Sequence, residues 1–324
     1  MNKSAYQYIS RSLIVVFAFI LLFAGRCNRG LRAIQDEKAK TAAAETRTKN
    51  LIKTIQGIKY TEVSRKFDNG LSFSPVGYQL VPEWRISFPS GDSVNIYSPR
   101  KGKFLNAPVV FDHDSIFNVA WAWLKLKYLT KDSLQFQVLH VTDKVIDDEK
   151  VHVFMSFYSN NYIKNVLHKD TSNIWKPSRK DTLYIKAKAA LANKVLDSAF
   201  AGTEPASLTA KSPLLSIVKE TIPVDDVNGG KSYDEYLLPT YNIVIHKAYD
   251  NFNYLFSVYV DEKGNLIFRK PNQFTFPEFK ESITSTMKGI TDGYLKLYLN
   301  VKAGKTLGIA HSSIVLLNVT GIKK

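Results

Sequence analysis

Hydrophobic positions fall into three regimes along the chain. From Ser12 to Gly25 they run almost without a break (Ser12-Leu-Ile-Val-Val-Phe-Ala-Phe-Ile-Leu-Leu-Phe-Ala-Gly25). Through residues 31–60 they are sparse, and from Thr61 onward they alternate with polar residues in short segments between turns. The first regime predicts a membrane helix, the second a solvated helix and the third antiparallel strands.

At 1.5 Å per residue the Ser12–Gly25 run makes about 21 Å of helix, short of a ~30 Å hydrocarbon core. A cleaved secretory signal would use Lys3 and Arg11 as its charged start. An uncleaved anchor would extend through Tyr6, Tyr8 and Ile9 and seat the tyrosines in the interface. Cleavage wants small residues at −3 and −1, and cuts after Gly25 or Ala24 would place Phe23 or Leu22 at −3, which favours the uncleaved anchor. Arg26 before Cys27 breaks the small-residue pattern of a lipidated cysteine. Basic residues flank the run on both sides, so the charge rule is near balance. The body is expected to be extracytoplasmic (periplasmic), since large domains translocate largely regardless of charge.

Residues 31–60 are rich in Ala, Lys and Glu and hold no Pro. Leu31, Ile34, Leu51, Ile52 and Ile55 are too sparse for a heptad seam, so a solvated helical stalk is expected rather than a coiled coil. Beyond it the strands Trp84–Phe88, Ser93–Tyr97, Leu134–Val141 and Val151–Tyr158 show period-two alternation, the last two joined through Asp147–Lys150. Ile116–Leu129, capped by Asp114 or Ser115, reads as a helix with Ile116, Phe117, Ala120, Trp121, Leu124 and Tyr128 on one stripe. Leu183, Ile185, Ala187 and Ala189 alternate as a strand. Turn residues from Gly202 to Gly230 suggest a break near Gly230. In the last stretch Tyr254–Val260 and Asn265–Phe268 flank Asp261–Gly264 as a hairpin. Pro277 opens a helix carrying Phe279, Ile283, Met287 and Ile290, with Gly293 as its stop. Tyr294–Val301 reads as a strand and Ser313–Val319 as the closing one.

The expected fold class is α+β: an N-terminal membrane anchor helix and helical stalk, then two antiparallel-sheet domains each with about one packed helix. The expected organisation is 1–30 anchor, 31–60 stalk, 61–230 a β-rich domain and 231–324 a smaller hairpin-helix-strand domain.

Charge changes this picture only near the anchor. The net charge is +15 over 324 residues, and residues 1–60 hold eleven basic side chains against three acidic ones, about half the excess. Anionic lipid is the natural partner for the Ser12–Gly25 run and these neighbours. The rest shows no concentrated basic stripe, so nucleic acid is not expected.

Candidate chemistry is thin. The single cysteine, Cys27, excludes an internal disulfide, and no Cys/His spacing suits zinc. Asp112-His113-Asp114-Ser115 is the densest polar cluster; a hydrolase would use His113 as base, whereas a turn and helix cap account for the same residues. His140, His152, His168, His246 and His311 are isolated in sequence, and there is no Gly-x-Ser-x-Gly elbow, Walker loop or dinucleotide fingerprint. No catalytic, cofactor-binding or metal-binding residue is therefore assigned, and no cofactor. Trp121, Trp123, Tyr158, Tyr162, Tyr249, Phe252, Tyr254, Tyr294 and Tyr298 could supply a carbohydrate- or peptide-binding face, or simply pack.

Val258-Tyr-Val-Asp-Glu-Lys-Gly264, the helix around Phe279–Ile290, and Ala303-Gly-Lys-Thr-Leu-Gly-Ile309 leading into Ile314–Val319 together resemble the C-terminal domain of TonB-like energy transducers. That resemblance covers about 70 residues. It implies an adaptor that pairs an edge strand with an outer-membrane partner. The Pro-rich spacer of that family is missing from 31–60, and Ala303 stands where the family usually has Pro. The expected function is a membrane-anchored, non-catalytic binding or scaffold protein of the cell envelope with an envelope protein partner. A TonB-like adaptor and an envelope hydrolase are the alternatives.

Overall fold

In the computed structural model the described residues are 35–36, 38–98, 101–112, 115–120, 122–142, 145–147, 153–172, 174–221 and 234–323. The Ser12–Gly25 run, His113, Asp114, Trp121, His152 and Gly230 lie outside them.

Strands β1 (Lys59–Phe67), β2 (Arg85–Ser90), β3 (Ser93–Ser98), β4 (Lys103–Phe111), β5 (Ile116–Val119), β6 (Ala122–Leu129), β7 (Ser133–Thr142) and β9 (Val153–Ser159) each pair antiparallel with the next. β9 returns to β1, with Tyr60 opposite Ser159 and Phe67 opposite Val153. The ring β1-β2-β3-β4-β5-β6-β7-β9 is thus a closed eight-stranded up-and-down barrel, and the short β8 (Val145–Asp147) extends the edge of β7. Closure removes the sheet edges that an open sheet would expose.

Large side chains fill the barrel. Phe88, Phe117, Phe136, Phe157, Leu124, Leu134 and Met155 are buried together with Tyr60. Phe117 meets Phe136 edge-on at 5.8 Å, and Phe136 meets Phe157 at 5.5 Å. Each buried ring contributes about 1.5–3 kcal/mol of transfer free energy. Eight strands enclose a space that side chains can fill or one small ligand can occupy, and here the rings take it. Tyr60 Oη donates to the Thr130 or Lys131 carbonyl, 2.9 and 3.1 Å away, and burial raises its pKa well above the ordinary phenol value.

The fold class differs from expectation: the described residues are mostly β, with 43% strand against 26% helix. The helical stalk is the first correction. Helix α1 (residues 38–53) ends against the β2–β3 hairpin, with Ile52 and Ile55 buried in the barrel core. Gly57 N donates to Phe88 O, Lys49 reaches Asp92 at 3.5 Å, and β1 begins at Lys59. Ile52 and Ile55, two of the apolar residues too sparse for a seam, instead form a plug. Among the described residues no helix is long and apolar enough to cross a membrane.

The helix expected over 116–129 is the second correction. It is the β5–β6 hairpin, with Phe117 opposite Leu124 and Ala120 in the left-handed region at φ 56°. Ser115 therefore caps no helix; its Oγ donates to Leu126 O. A third correction concerns 183–189, which lies in helix α3 (Arg179–Lys194) rather than a strand. Ser178 and Asp181 form a reciprocal capping box there, and Asp181, Ile185, Ala189 and Ala192 make the buried face.

Beyond the barrel, helix α2 (Asn160–Asn165) and α3 lead to a second sheet. Its strands are β11 (Leu215–Lys219), β12 (Thr240–His246), β18 (Ser313–Ile322), β13 (Phe252–Val260) and β14 (Leu266–Pro271), in that order. The sheet is mixed, because β12 and β18 run parallel, which departs from the antiparallel sheet expected. Helix α5 (Lys280–Gly289) does not stop at Gly293; it continues through a π-turn (Ile290–Leu295) into α6 (Lys296–Tyr298). The strand expected over 294–301 shrinks to β15 (Leu299–Lys302), which pairs with β10 (Ser207–Ala210). The segments that resemble the transducer domain form the β13–β14 hairpin, α5 and β18, and β18 lies beside β13. β11 and β12, on either side of the expected break near residue 230, pair with each other.

A small third core joins the two units. Phe73, Ile185, Ala192 and Phe200 pack with Leu307 and Ile309, the latter on hairpin β16 (Lys305–Thr306)–β17 (Ile309–Ala310). Ser72 N donates to Asp181 Oδ1 at 2.7 Å, so the residue that caps α3 also holds the barrel's β1–β2 loop. Gly77 sits at φ 95°, and a Cβ there would run into the Ala201 carbonyl.

Candidate functional site

Three polar constellations follow from this architecture. The first is buried. His311 Nδ1 lies 3.1 Å from the Ser312 carbonyl, which can only accept, so Nδ1 carries the proton and Nε2 accepts from Thr306 Oγ1 at 3.0 Å. The ring stacks on Phe200, and Thr306, His311, Ser312 and Ser313 are all buried. Burial lowers the His311 pKa, partly offset by the Ser312 bond, and the Lys188 charge lowers it further. A hydroxyl–imidazole pair has the chemistry of an activated nucleophile, but this one has no surface for a substrate. It pins the β16–β17 hairpin to the inter-unit core.

The second is Ser216 Oγ with His246 Nε2, 2.8 Å apart across β11 and β12. It lies on the exposed sheet face. Among the described residues no group of three or more His, Cys, Asp or Glu is placed to hold a metal ion.

The third is an open groove of about 400 Å³ where the chain after α2 passes the start of β2. At its base a bulge in β1 between Glu62 and Ser64 breaks the register. Glu62 is buried there and accepts four hydrogen bonds: from Arg65 Nε and Nη2 at 2.7 and 2.8 Å, and from the backbone N–H of Glu83 and Trp84 at 2.9 and 3.0 Å. That bidentate pair fixes where β2 starts, and so where Trp84 stands. Trp84 packs partly against the barrel core and partly lines the groove. The Arg85 guanidinium lies 5.2 Å over the Tyr97 ring. Thr171, Ser172, Ile174 and Trp175 close the other side. Asp170 holds that rim: it accepts from Ser172 N at 2.7 Å and Ser172 Oγ at 2.8 Å, and these two bonds lower its pKa. Glu83 has its pKa raised, first by burial and then by the Glu62 charge, against the opposing pull of Arg65. Two indoles, a guanidinium-covered phenol, hydroxyls and the Glu83 carboxyl thus face one open space.

The sequence-based candidates do not assemble into this groove. His140 and His168 are exposed and separate, and His113 and His152 lie outside the described residues. The aromatic residues form separate groups: Tyr158 with Tyr162 at 5.2 Å, Phe252 with Tyr249 and Tyr254 at 5.5 and 5.1 Å, and Tyr294 with Tyr298 at 5.4 Å. Phe252, Tyr254, Tyr294 and Tyr298 pack against the second core. The residues missed were Trp84 and Trp175. Each sits two residues from a proline in a polar, turn-rich stretch, the one local signal that could have marked them.

No protein-family model and no curated protein matches the chain. Among solved structures it is similar to a bovine lipocalin allergen, at 12% identity over 43% of this chain and 86% of that one, with a TM-score of 0.22. A likeness this low bears on neither ligand nor activity.

Proposed function

We propose that this chain is a membrane-anchored, extracytoplasmic binding and scaffold protein of the cell envelope, and that its ligand site is the Trp84–Trp175 groove. The ligand class that suits the groove is hydroxyl-rich with flat apolar faces, a saccharide chain above all. Rings offer stacking faces, and the Glu83 carboxyl, the hydroxyls and Arg85 offer hydrogen-bond partners. The observation that carries this reading is the contrast between a filled barrel and an open, aromatic-lined groove on the same unit. Membrane placement is supported by the Ser12–Gly25 run and its basic neighbours. The test is capture of cell-envelope polysaccharide fragments by the full chain. Trp84→Ala and Trp175→Ala should each weaken capture about two- to tenfold, the size expected for losing one stacking contact of about 0.5–1.5 kcal/mol. Capture unchanged in both variants would sink the groove.

A hydrolytic second reading is favoured by one observation. The Glu83 carboxyl, its pKa raised, stands at the groove beside Glu62, whose own carboxylate is buried and committed to Arg65 and two backbone N–H groups, so Glu83 alone is the candidate acid. Release of new reducing ends from a bound polysaccharide, lost in Glu83→Gln while binding persists, would support it. Binding with no turnover leaves the scaffold reading alone.

A further inference from the structure

Phe274, Phe276 and Phe279 are 82%, 59% and 56% exposed, within six residues of one another. Such a cluster stands out, because isolated surface apolar residues are ordinary and clustered aromatic ones mark a contact surface. The segment is held in place rather than loose. Asn272 N donates to Leu255 O at 2.9 Å, and Gln273 Oε1 accepts from Leu255 N at 2.7 Å, so the chain continues β14 along β13 for two further residues. Gln273 and Thr275 face inward, and alternation then forces Phe274 and Phe276 outward together, their rings 5.2 Å apart and nearly perpendicular. Pro277 turns the chain into the helix, and Phe279 follows on that turn.

We infer that this aromatic prong is a second membrane contact, which inserts into the interface of an anionic lipid bilayer. Two features select lipid over a protein partner. The rings are largely exposed, which a fluid interface accommodates without a matching pocket, and aromatic rings are at home at that depth. The segment is also flanked by Lys270 on one side and Lys280 on the other, which can reach anionic headgroups, with Glu278 and Glu281 beside Lys280 and Arg269 turned onto Tyr259. The edge strand that carries the prong ends in Pro271, which lacks the N–H that pairing with another strand would need. The inference rests on the proposed membrane placement and depends neither on the groove nor on its ligand.

Because the Ser12–Gly25 run would itself bind vesicles, the readout must be local. The full chain with Cys27→Ser and Asn272→Cys, labelled at position 272 with an environment-sensitive fluorophore, leaves all three phenylalanines in place. It is reconstituted in vesicles of phosphatidylglycerol mixed with phosphatidylcholine, or of phosphatidylcholine alone. A control carries the label through Lys186→Cys on α3. The expected result is a blue shift at position 272, with quenching by nitroxide-bearing lipid, in the mixed vesicles. Combined Phe274→Ser, Phe276→Ser and Phe279→Ser should abolish both. Lys270→Glu with Lys280→Glu should remove the preference for phosphatidylglycerol. A label as water-exposed as the control in every vesicle would overturn the inference. So would a shift that needs no lipid and grows with protein concentration, which would identify a second copy as the occupant. An equal shift in phosphatidylcholine alone would overturn the anionic selection.

Discussion

His311 lies flat on Phe200, with ring centroids 3.7 Å apart and planes 8° from parallel. This contact ties the β16–β17 hairpin to the segment that leaves α3, and the imidazole sits there neutral and buried. Its folded pKa is lowered, so the unfolded chain binds a proton more readily than the native state. The stabilisation is then fully present above the unfolded pKa near 6.5 and declines as pH falls below it. Wild-type thermal stability should drop on acidification below about pH 6.5 more steeply than that of His311→Gln. Parallel slopes in the two proteins would show that His311 is not the group responsible.

Glu62 and Arg65 make a buried ion pair. Glu62→Ala removes both bonds to the guanidinium and the acceptor of two backbone N–H groups at the groove base, and should cost about 3–5 kcal/mol in urea unfolding. A loss below ~1 kcal/mol would mean that water already reaches the pair.

Phe136 touches both Phe117 and Phe157 in the middle of the barrel. Phe136→Ala should destabilise by about 3–5 kcal/mol and open an apolar cavity. A small apolar dye should bind inside the variant and not the wild type. Equal uptake by both would show that the wild-type interior is not filled.

Asp181 serves two partners, the α3 N-terminus and Ser72 N. Ser178→Ala should cost about 0.5–2 kcal/mol as a lost cap. Asp181→Ala should cost more, since it also orphans the Ser72 amide on the barrel loop. Equal costs in calorimetry would mean that the loop contact contributes nothing.

Period-two alternation was legible wherever one face is wet, as in Trp84–Phe88 and Leu134–Val141, and the hairpin around Gly264 was marked by its turn chemistry. Two segments misled because they satisfy both periods. Ile116, Phe117, Ala120 and Leu124 space as a helix stripe, and the turn that splits them rests on Ala120 at positive φ, which has no residue signature. Leu183 to Ala189 alternate, yet Ser178 and Asp181 upstream spell a capping box that outranks the alternation. Barrel closure pairs Tyr60 with Ser159, far apart in sequence, and nothing local encodes it. The groove was hidden for the same reason: Trp84 and Trp175 line one groove only because the chain after α2 returns past the start of β2.

The most direct test of the account is an amide hydrogen-exchange footprint of the full chain with and without a bound envelope polysaccharide fragment. Protection confined to residues 82–85, the end of β3 around Tyr97 and residues 171–175 is the predicted result. Protection instead in β5, β7 and β9, around Phe117, Phe136 and Phe157, would place the ligand inside the barrel and contradict the groove.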